Sequence, residues 1–362
     1  MLNRRKFIAY SAAFTMAAGN LKSSVLDYQD DVFIDVVKQK KDLVPHILPK
    51  AIKPGDTIGI TAPASPTGMW EIRNSLKFIN RIGCKYKIGK TVTDWKTSDR
   101  YFSAGDKQRA AEFMDFIKSD KIDAILTARG GYGVMRILPL LDYEAIRQHP
   151  KPIIGFSDIT ALLHAVYDKA GVISFHGPVA ALSFNSMTER AFKKVLFRRD
   201  NKNEVPEYTP VTLKYDAADT VNPGIATGKL TGGNLSMISA TLGTPYEIDT
   251  KDSLFFIEEV FEEPYKIDRM LTQLVLAGKF DDVKGIILGK FNNLDSHKPF
   301  YPGLQFSVRQ IINQIIKPLN KPTILNYPIG HGSGIITLPI GIFAELNADK
   351  KELIILEQPV SF

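Results

Sequence analysis

A serine set between an apolar run and an amphipathic helix is the first chemistry this sequence offers. In Lys151-Pro-Ile-Ile-Gly155-Phe-Ser157-Asp-Ile-Thr160, residues 153–156 read as a buried strand, and Ile159, Leu162, Leu163 and Val166 then recur on one helical face. A hydroxyl there lies at a helix N-terminus, where free N–H groups and the positive dipole end stabilise an oxyanion. Gly155 supplies the small residue that a sharp strand-to-helix turn needs. The hydrolase elbow Gly-x-Ser-x-Gly is only half met, because Ile159 stands where its second glycine would be. Capping the helix is the plainer role for such a serine.

A serine nucleophile needs a base within hydrogen-bond reach and a group to orient that base. The chain has six histidines. His46 precedes the fold, His149 ends a polar turn, His164 lies inside the helix after Ser157, and His297 sits in a polar loop. His176 falls at a strand end in the same domain as Ser157, where it is expected to line the pocket. His331 differs, since Tyr327-Pro-Ile-Gly-His331-Gly-Ser-Gly334 flanks it with glycines that let the backbone approach a partner closely. Glu258 closes the apolar run of residues 254–257, so its carboxylate emerges at a strand end, with Glu259 beside it. The plainer readings are a solvated loop histidine and two surface carboxylates. No metal site is expected, because there is no His-Glu-x-x-His, no cysteine set and no ligand-type spacing. Gly-Gly-Tyr-Gly is no phosphate loop, a dinucleotide fingerprint is lacking, and no cofactor is implied.

The elements that must position these residues alternate between strand and helix. A strand follows the turn Lys53-Pro-Gly-Asp56. Next come a helix with Ile72, Leu76, Ile79 and Ile82 inward, a short strand at Tyr86 and Ile88, and a helix over 106–118. Further strands are expected over 122–128 and 172–175. This spacing means parallel βαβ units and a doubly wound, mostly parallel sheet, whose site lies beyond the carboxyl ends of its strands. Ala62-Pro63, the loop Arg129-Gly-Gly-Tyr-Gly133, Ser157 and His176 all fall at that edge. A charged, proline-bearing stretch at 201–224 reads as a linker. Residues 48–200 are therefore expected to form an N-terminal α/β domain with a nucleophile elbow. Residues 225–362 form a smaller C-terminal α/β domain, rich in β structure, that carries Glu258 and His331.

Residues 1–22 carry Arg4, Arg5 and Lys6 before a short apolar stretch and small residues, which reads as a twin-arginine-like export signal and a periplasmic location. Residues 23–47 read as a post-signal segment. The net charge of +7 falls to +4 once those three cations are set aside, and no basic run with interleaved aromatics remains to bind nucleic acid. The apolar stretch is too short to span a bilayer, so no stable membrane insertion is expected after signal removal. With 362 residues, 44% hydrophobic and 23% charged, the chain can bury a sizeable core, and its one cysteine, Cys84, forms no internal disulfide.

Seven motifs, in order, resemble those of the LD-carboxypeptidases, serine peptidases also called muramoyltetrapeptide carboxypeptidases. They are Lys53-Pro-Gly-Asp-Thr-Ile, Arg129-Gly-Gly-Tyr-Gly, Gly155-Phe-Ser-Asp-Ile-Thr, His176-Gly-Pro, Gly232-Gly-Asn-Leu-Ser, Ile257-Glu-Glu with Pro264-Tyr-Lys-Ile-Asp-Arg, and Pro328-Ile-Gly-His-Gly. The resemblance implies Ser157 as nucleophile, His331 as general base and Glu258 as the residue orienting His331. This chain has Glu258-Glu259 where the family often has Glu-Asp. The substrate implied is a murein tetrapeptide, cut before its terminal D-alanine. The oxyanion is expected on the N–H of Asp158 and one from Gly130 or Gly131. Arg129 is the candidate for the substrate carboxylate, because a guanidinium fork suits it. The resemblance also implies a possible homodimer. Two other readings accompany it. One is hydrolysis of peptidyl or aminoacyl nucleotides of the antibiotic-immunity type, which would stack an aromatic on the base. The only tryptophans, Trp70 and Trp95, lie early in the chain. The other is a non-catalytic periplasmic peptide-binding protein.

Overall fold

The computed structural model describes residues 45–94, 100–197, 208–292, 306–332 and 334–362. The expected export signal, most of the post-signal segment, Trp95, His297 and the first part of the linker lie outside the described residues. Two sheets organise the rest. The first has the order β12-β5-β4-β3-β1-β2, with β1 Thr57–Thr61, β2 Lys85–Ile88, β3 Ala124–Thr127, β4 Ile153–Gly155, β5 Phe175–His176 and β12 Leu338–Pro339. Strands β1 to β5 pair in parallel. Ile58, Ile60, Ile125, Leu126, Ile153 and Ile154 are fully buried. Runs that are apolar on both faces are what a parallel strand covered by helices on either side requires. Burying each such side chain stabilises by roughly 1.5–3 kcal/mol.

The second sheet has the order β6-β14-β13-β8-β9-β10-β11-β7 and is mixed. Its parallel centre is β8 Ile225–Asn234, β9 Ser253–Val260, β10 Gly285–Asn292 and β11 Thr323–Tyr327. The flanks, β13 Phe343–Asn347, β14 Glu352–Ile355, β6 Val211–Lys214 and β7 Asp219–Asn222, run antiparallel. A mixed α/β architecture with a sheet-rich second half was expected. Two departures have physical causes. Residues 211–222, read as linker, are instead the outermost strands at opposite edges of this sheet. Val211 and Leu213 face inward while Thr212 and Lys214 face solvent, an alternation too short to stand out in sequence. The strand expected over 172–175 forms at Phe175–His176, because Val172 bridges to Ile47 and the Ser174 hydroxyl donates to the Leu163 carbonyl.

One connection bears directly on the site. Between β11 in the second sheet and β12 in the first, residues 328–337 cross from one sheet to the other, and His331 lies on that crossing. Leu338 pairs with His176, and His176 pairs with Gly155, two residues before Ser157.

Candidate active site

Ser157 follows β4 in the left-handed backbone region, with φ of 65°, and opens a short 3-10 turn that runs into the helix Thr160–Ala165. Such a conformation costs a non-glycine residue about 1–3 kcal/mol, and it is the strained geometry that lifts a nucleophile off a strand end. The half-met elbow motif has a steric explanation. A Cβ at Gly155 would overlap Thr127 Oγ1 and stand 2.7 Å from Ile159 Cγ2. Ile159 is fully buried against that glycine, so its side chain fills core space where the hydrolase motif has a second glycine.

Gly130 lies directly against the serine. A Cβ there would be 2.8 Å from Ser157 Cβ and 3.1 Å from the Asp158 nitrogen. Gly131 adopts φ of 101° and leaves no room for a Cβ beside Ser65. Among the described residues, neither Gly130 nor Gly131 donates its N–H to a protein acceptor. The Asp158 side chain is buried, and its carboxylate accepts from the Val134 N–H at 2.9 Å. Burial pushes the Asp158 carboxyl up to about 6, against the pull of that N–H and of the Arg109 charge.

The histidine arrives from the other sheet. His331 Nδ1 lies 2.7 Å from Glu258 Oε2, and the His331 backbone N–H donates to the same oxygen at 3.3 Å. Glu258 has no solvent exposure. Burial raises its carboxyl, but the hydrogen bond and charge of His331 outweigh this and hold it below the ordinary glutamate range. An ionised carboxylate only accepts, so Nδ1 carries the proton and Nε2 is left as the basic nitrogen. Gly330 makes the approach possible, because at φ of 75° any Cβ would overlap Glu258 Oε2. The ring of Phe156, the residue before the serine, packs edge-on against His331 with centroids 4.7 Å apart.

Neighbouring residues on a strand point to opposite faces, so the two glutamates part company. Glu259 accepts from the N–H groups of Ser236 and Val260, both at 2.8 Å, and from the Asn234 amide at 3.0 Å. It thus binds the first turn of the helix Leu235–Thr241 and the N-cap residue Asn234. Burial, followed by repulsion from Glu258, raises its carboxyl.

Ser157 and His331 line one cavity of about 550 Å³, together with Arg129, Gly130, Gly131, Tyr132, Asp158, Asn234, Glu259 and Phe261. Arg129 is half-exposed at its wall, 3.5 Å from Glu71. His176 is not on this lining. It is fully buried, ringed by Phe156 and Phe256, and burial drives its imidazole down to about 4, so it is neutral. The structure therefore brings Ser157, His331, Glu258, Asp158, Gly130, Gly131 and Arg129 to one place and sets His176 behind it. Residues that sequence reasoning did not single out also hold the site. Arg109 is fully buried under the Arg129–Gly133 loop, Thr160 Oγ1 accepts from the Asn234 N–H at 3.1 Å, and His164 Nε2 lies 2.7 Å from the Gly232 carbonyl. The last two tie the helix after Ser157 to the glycine end of β8. Gly232-Gly-Asn was the sequence signal for that contact, because a Cβ at Gly233 would overlap Thr160.

A strained serine, a histidine oriented by a buried carboxylate and a glycine loop at the serine are the parts of an acyl-transfer hydrolase. Residues 58–177 match the LD-carboxypeptidase N-terminal domain and residues 227–346 the LD-carboxypeptidase C-terminal domain, so the chain belongs to the LD-carboxypeptidase family of serine carboxypeptidase-type hydrolases. It is 37% identical over 312 residues to a probable murein peptide carboxypeptidase of Bacillus subtilis strain 168, covering 85% of this chain and 93% of that one. It is 31% identical over 335 residues to the microcin C7 self-immunity protein MccF of Escherichia coli, covering 85% and 95%. The solved structure of MccF in complex with aspartyl sulfamoyl adenosine superposes with a TM-score of 0.76 at 28% identity, covering 87% of this chain and 100% of that one.

Proposed function

We propose that the protein is a serine-type LD-carboxypeptidase that releases the terminal D-alanine from murein tetrapeptides. The observation that carries this reading is the 2.7 Å pair between His331 and the buried Glu258, on the same cavity as the left-handed Ser157 turn. Nε2 of His331 takes the hydroxyl proton as Ser157 Oγ bonds to the scissile carbonyl carbon, and Glu258 stabilises the imidazolium that results. The oxyanion is held by the N–H groups of Asp158 and of Gly130 or Gly131. Removing one such donor typically costs about 2.7–4 kcal/mol in the barrier. The C–N bond then breaks, and His331 returns its proton to the leaving amine of D-alanine. Water, deprotonated by His331, hydrolyses the acyl-enzyme. Arg129 receives the terminal carboxylate of the substrate. An export signal in residues 1–22 would carry the enzyme to the periplasm, where murein lies.

A second reading, hydrolysis of aminoacyl nucleotides, has one feature in its favour. Tyr132 and Phe261 line the cavity with side chains more than half exposed, available to stack on a base, whereas Trp70 is not on the lining. Incubating the wild type and Ser157→Ala with murein tetrapeptide and with an aminoacyl-sulfamoyl adenosine separates the two. Release of D-alanine by the wild type alone supports the carboxypeptidase. Cleavage of the sulfamoyl adenosine alone would transfer the assignment to the nucleotide substrate, and D-alanine release that persists in Ser157→Ala would remove Ser157 from the mechanism.

A further inference from the structure

Two buried charged side chains that play no part in the steps above grip the glycine loop at the serine. Arg109, on the helix Asp106–Lys118, is fully buried, which is rare for a guanidinium unless every donor is matched. Its Nε donates to the Ala104 carbonyl at 3.0 Å and its Nη1 to the Gly133 carbonyl at 3.0 Å. Nη1 also donates to the Pro63 carbonyl, and Nη2 pairs with Asp106. Phe102 lies against the guanidinium, 4.7 Å from ring centroid to Cζ. From the opposite side, the Asp158 carboxylate accepts the N–H of Val134, the next residue along. The C-terminal end of the Arg129–Gly133 loop is thus held at a carbonyl by Arg109 and at an N–H by Asp158. Its other end is held by Ser65, which donates its N–H to the Gly130 carbonyl at 3.2 Å and accepts from the Tyr132 N–H at 3.0 Å.

Asp158 is also the residue after Ser157. The same residue therefore belongs to the nucleophile's turn and anchors the loop facing it. An oxyanion hole works only if its donors stand about 2.7–3.1 Å from where the charge develops, so the relative placement of turn and loop decides the rate. A carboxylate pushed into the interior is a costly way to make one backbone hydrogen bond, and an apolar contact would hold a merely structural loop. We infer that the Asp158 side chain and Arg109 are positioning residues that set the Gly130 N–H against Ser157, an inference that rests on the serine-hydrolase reading of the site.

The test compares Asp158→Ala, Asp158→Asn and Arg109→Lys with the full-length wild type. The readouts are kcat and KM for tetrapeptide, the rate of Ser157 labelling by a fluorophosphonate, and thermal melting. Asn keeps an oxygen that accepts from Val134, whereas Ala does not. In Asp158→Ala, kcat and the labelling rate should fall together by about 10²–10³-fold, the loss typical of one oxyanion donor, with KM within about threefold. Asp158→Asn should recover most of that loss, and Arg109→Lys, which cannot span three carbonyls, should behave like Asp158→Ala. An Asp158→Ala enzyme within about threefold of wild type in kcat, or an Asn variant no better than Ala, would overturn the inference. So would loss of kcat and KM in parallel with melting near the assay temperature. If the wild type labels at Ser157 but releases no D-alanine, the murein substrate is wrong, and the labelling rates of the variants still decide the positioning role.

Discussion

Glu258→Gln removes one charge and almost no volume from the pair that orients His331. Glu258 Oε2 receives both the ring N–H and the backbone N–H of His331, and the carboxylate is sealed from solvent. Glutamine can present its oxygen or its amide at that point. With the oxygen there, the ring keeps its orientation but the imidazolium formed during attack loses its buried counter-charge. With the amide there, Nδ1 must accept, the proton moves to Nε2, and His331 can no longer take the Ser157 proton. The equivalent change in a Ser-His-Asp triad lowers kcat by about 10⁴, or about 5 kcal/mol. The expected result is a kcat reduced by about 10⁴ with KM within a few-fold, measured by D-alanine release from tetrapeptide, with circular dichroism and melting to establish folding. Glu259→Gln is the control, because its three donors are structural. It should cost about 1–3 kcal/mol of stability through one mismatched donor, with kcat within about tenfold. A Glu258→Gln enzyme within tenfold of wild type, or a larger kcat loss in Glu259→Gln, would refute the assignment of the two carboxylates.

Gly330→Ala should lower kcat by about 100-fold or more and also lower the melting temperature. Its left-handed backbone costs a non-glycine residue about 1–3 kcal/mol, and its Cβ would displace the Glu258 carboxylate. A normal kcat in a stably folded Gly330→Ala would contradict the close approach. The Asp158 carboxyl, raised by burial to about 6 against its Val134 and Arg109 partners, contributes stability that is complete below its ordinary 3.8 and lost as pH rises through 6. Melting of wild type and Asp158→Asn between pH 4 and pH 7.5 should therefore diverge in favour of the variant as pH rises, by on the order of 3 kcal/mol at the upper end. Parallel curves would mean that the carboxyl titrates normally.

What could be read from the sequence follows from how far each signal reaches along the chain. The strand under Ser157 and the strand carrying Glu258 were legible because unbroken apolar runs of four residues meet polar ones abruptly. His331 was legible from its glycines, and the overlap that a Cβ at Gly330 would make with Glu258 is the physical content of that signal. Arg109 was not. Between Asp106 and Ala110 it reads as an exposed helix face, and the carbonyls of Pro63, Ala104 and Gly133 together with the Asp106 carboxylate make its burial tolerable. Tyr132 and Phe261 were missed as well, because an exposed aromatic on a cavity wall has no local pattern.

The two-residue strand β12 carried no periodicity at all, yet it explains why distant residues meet. His331 travels on a segment anchored in one sheet by β11 and in the other by β12. The row Leu338, His176, Gly155 then runs across the first sheet from the end of that segment to the foot of the serine turn. His176, expected on the pocket wall, sits in the middle of that row as a neutral, fully buried residue. Its edge contact with Phe156, whose ring also packs edge-on against His331, sets it behind that ring and off the cavity. Backbone pairing in the first sheet therefore links the segment that carries His331 to the foot of the Ser157 turn, and changes at Leu338 or His176 should reach the chemistry without touching the substrate.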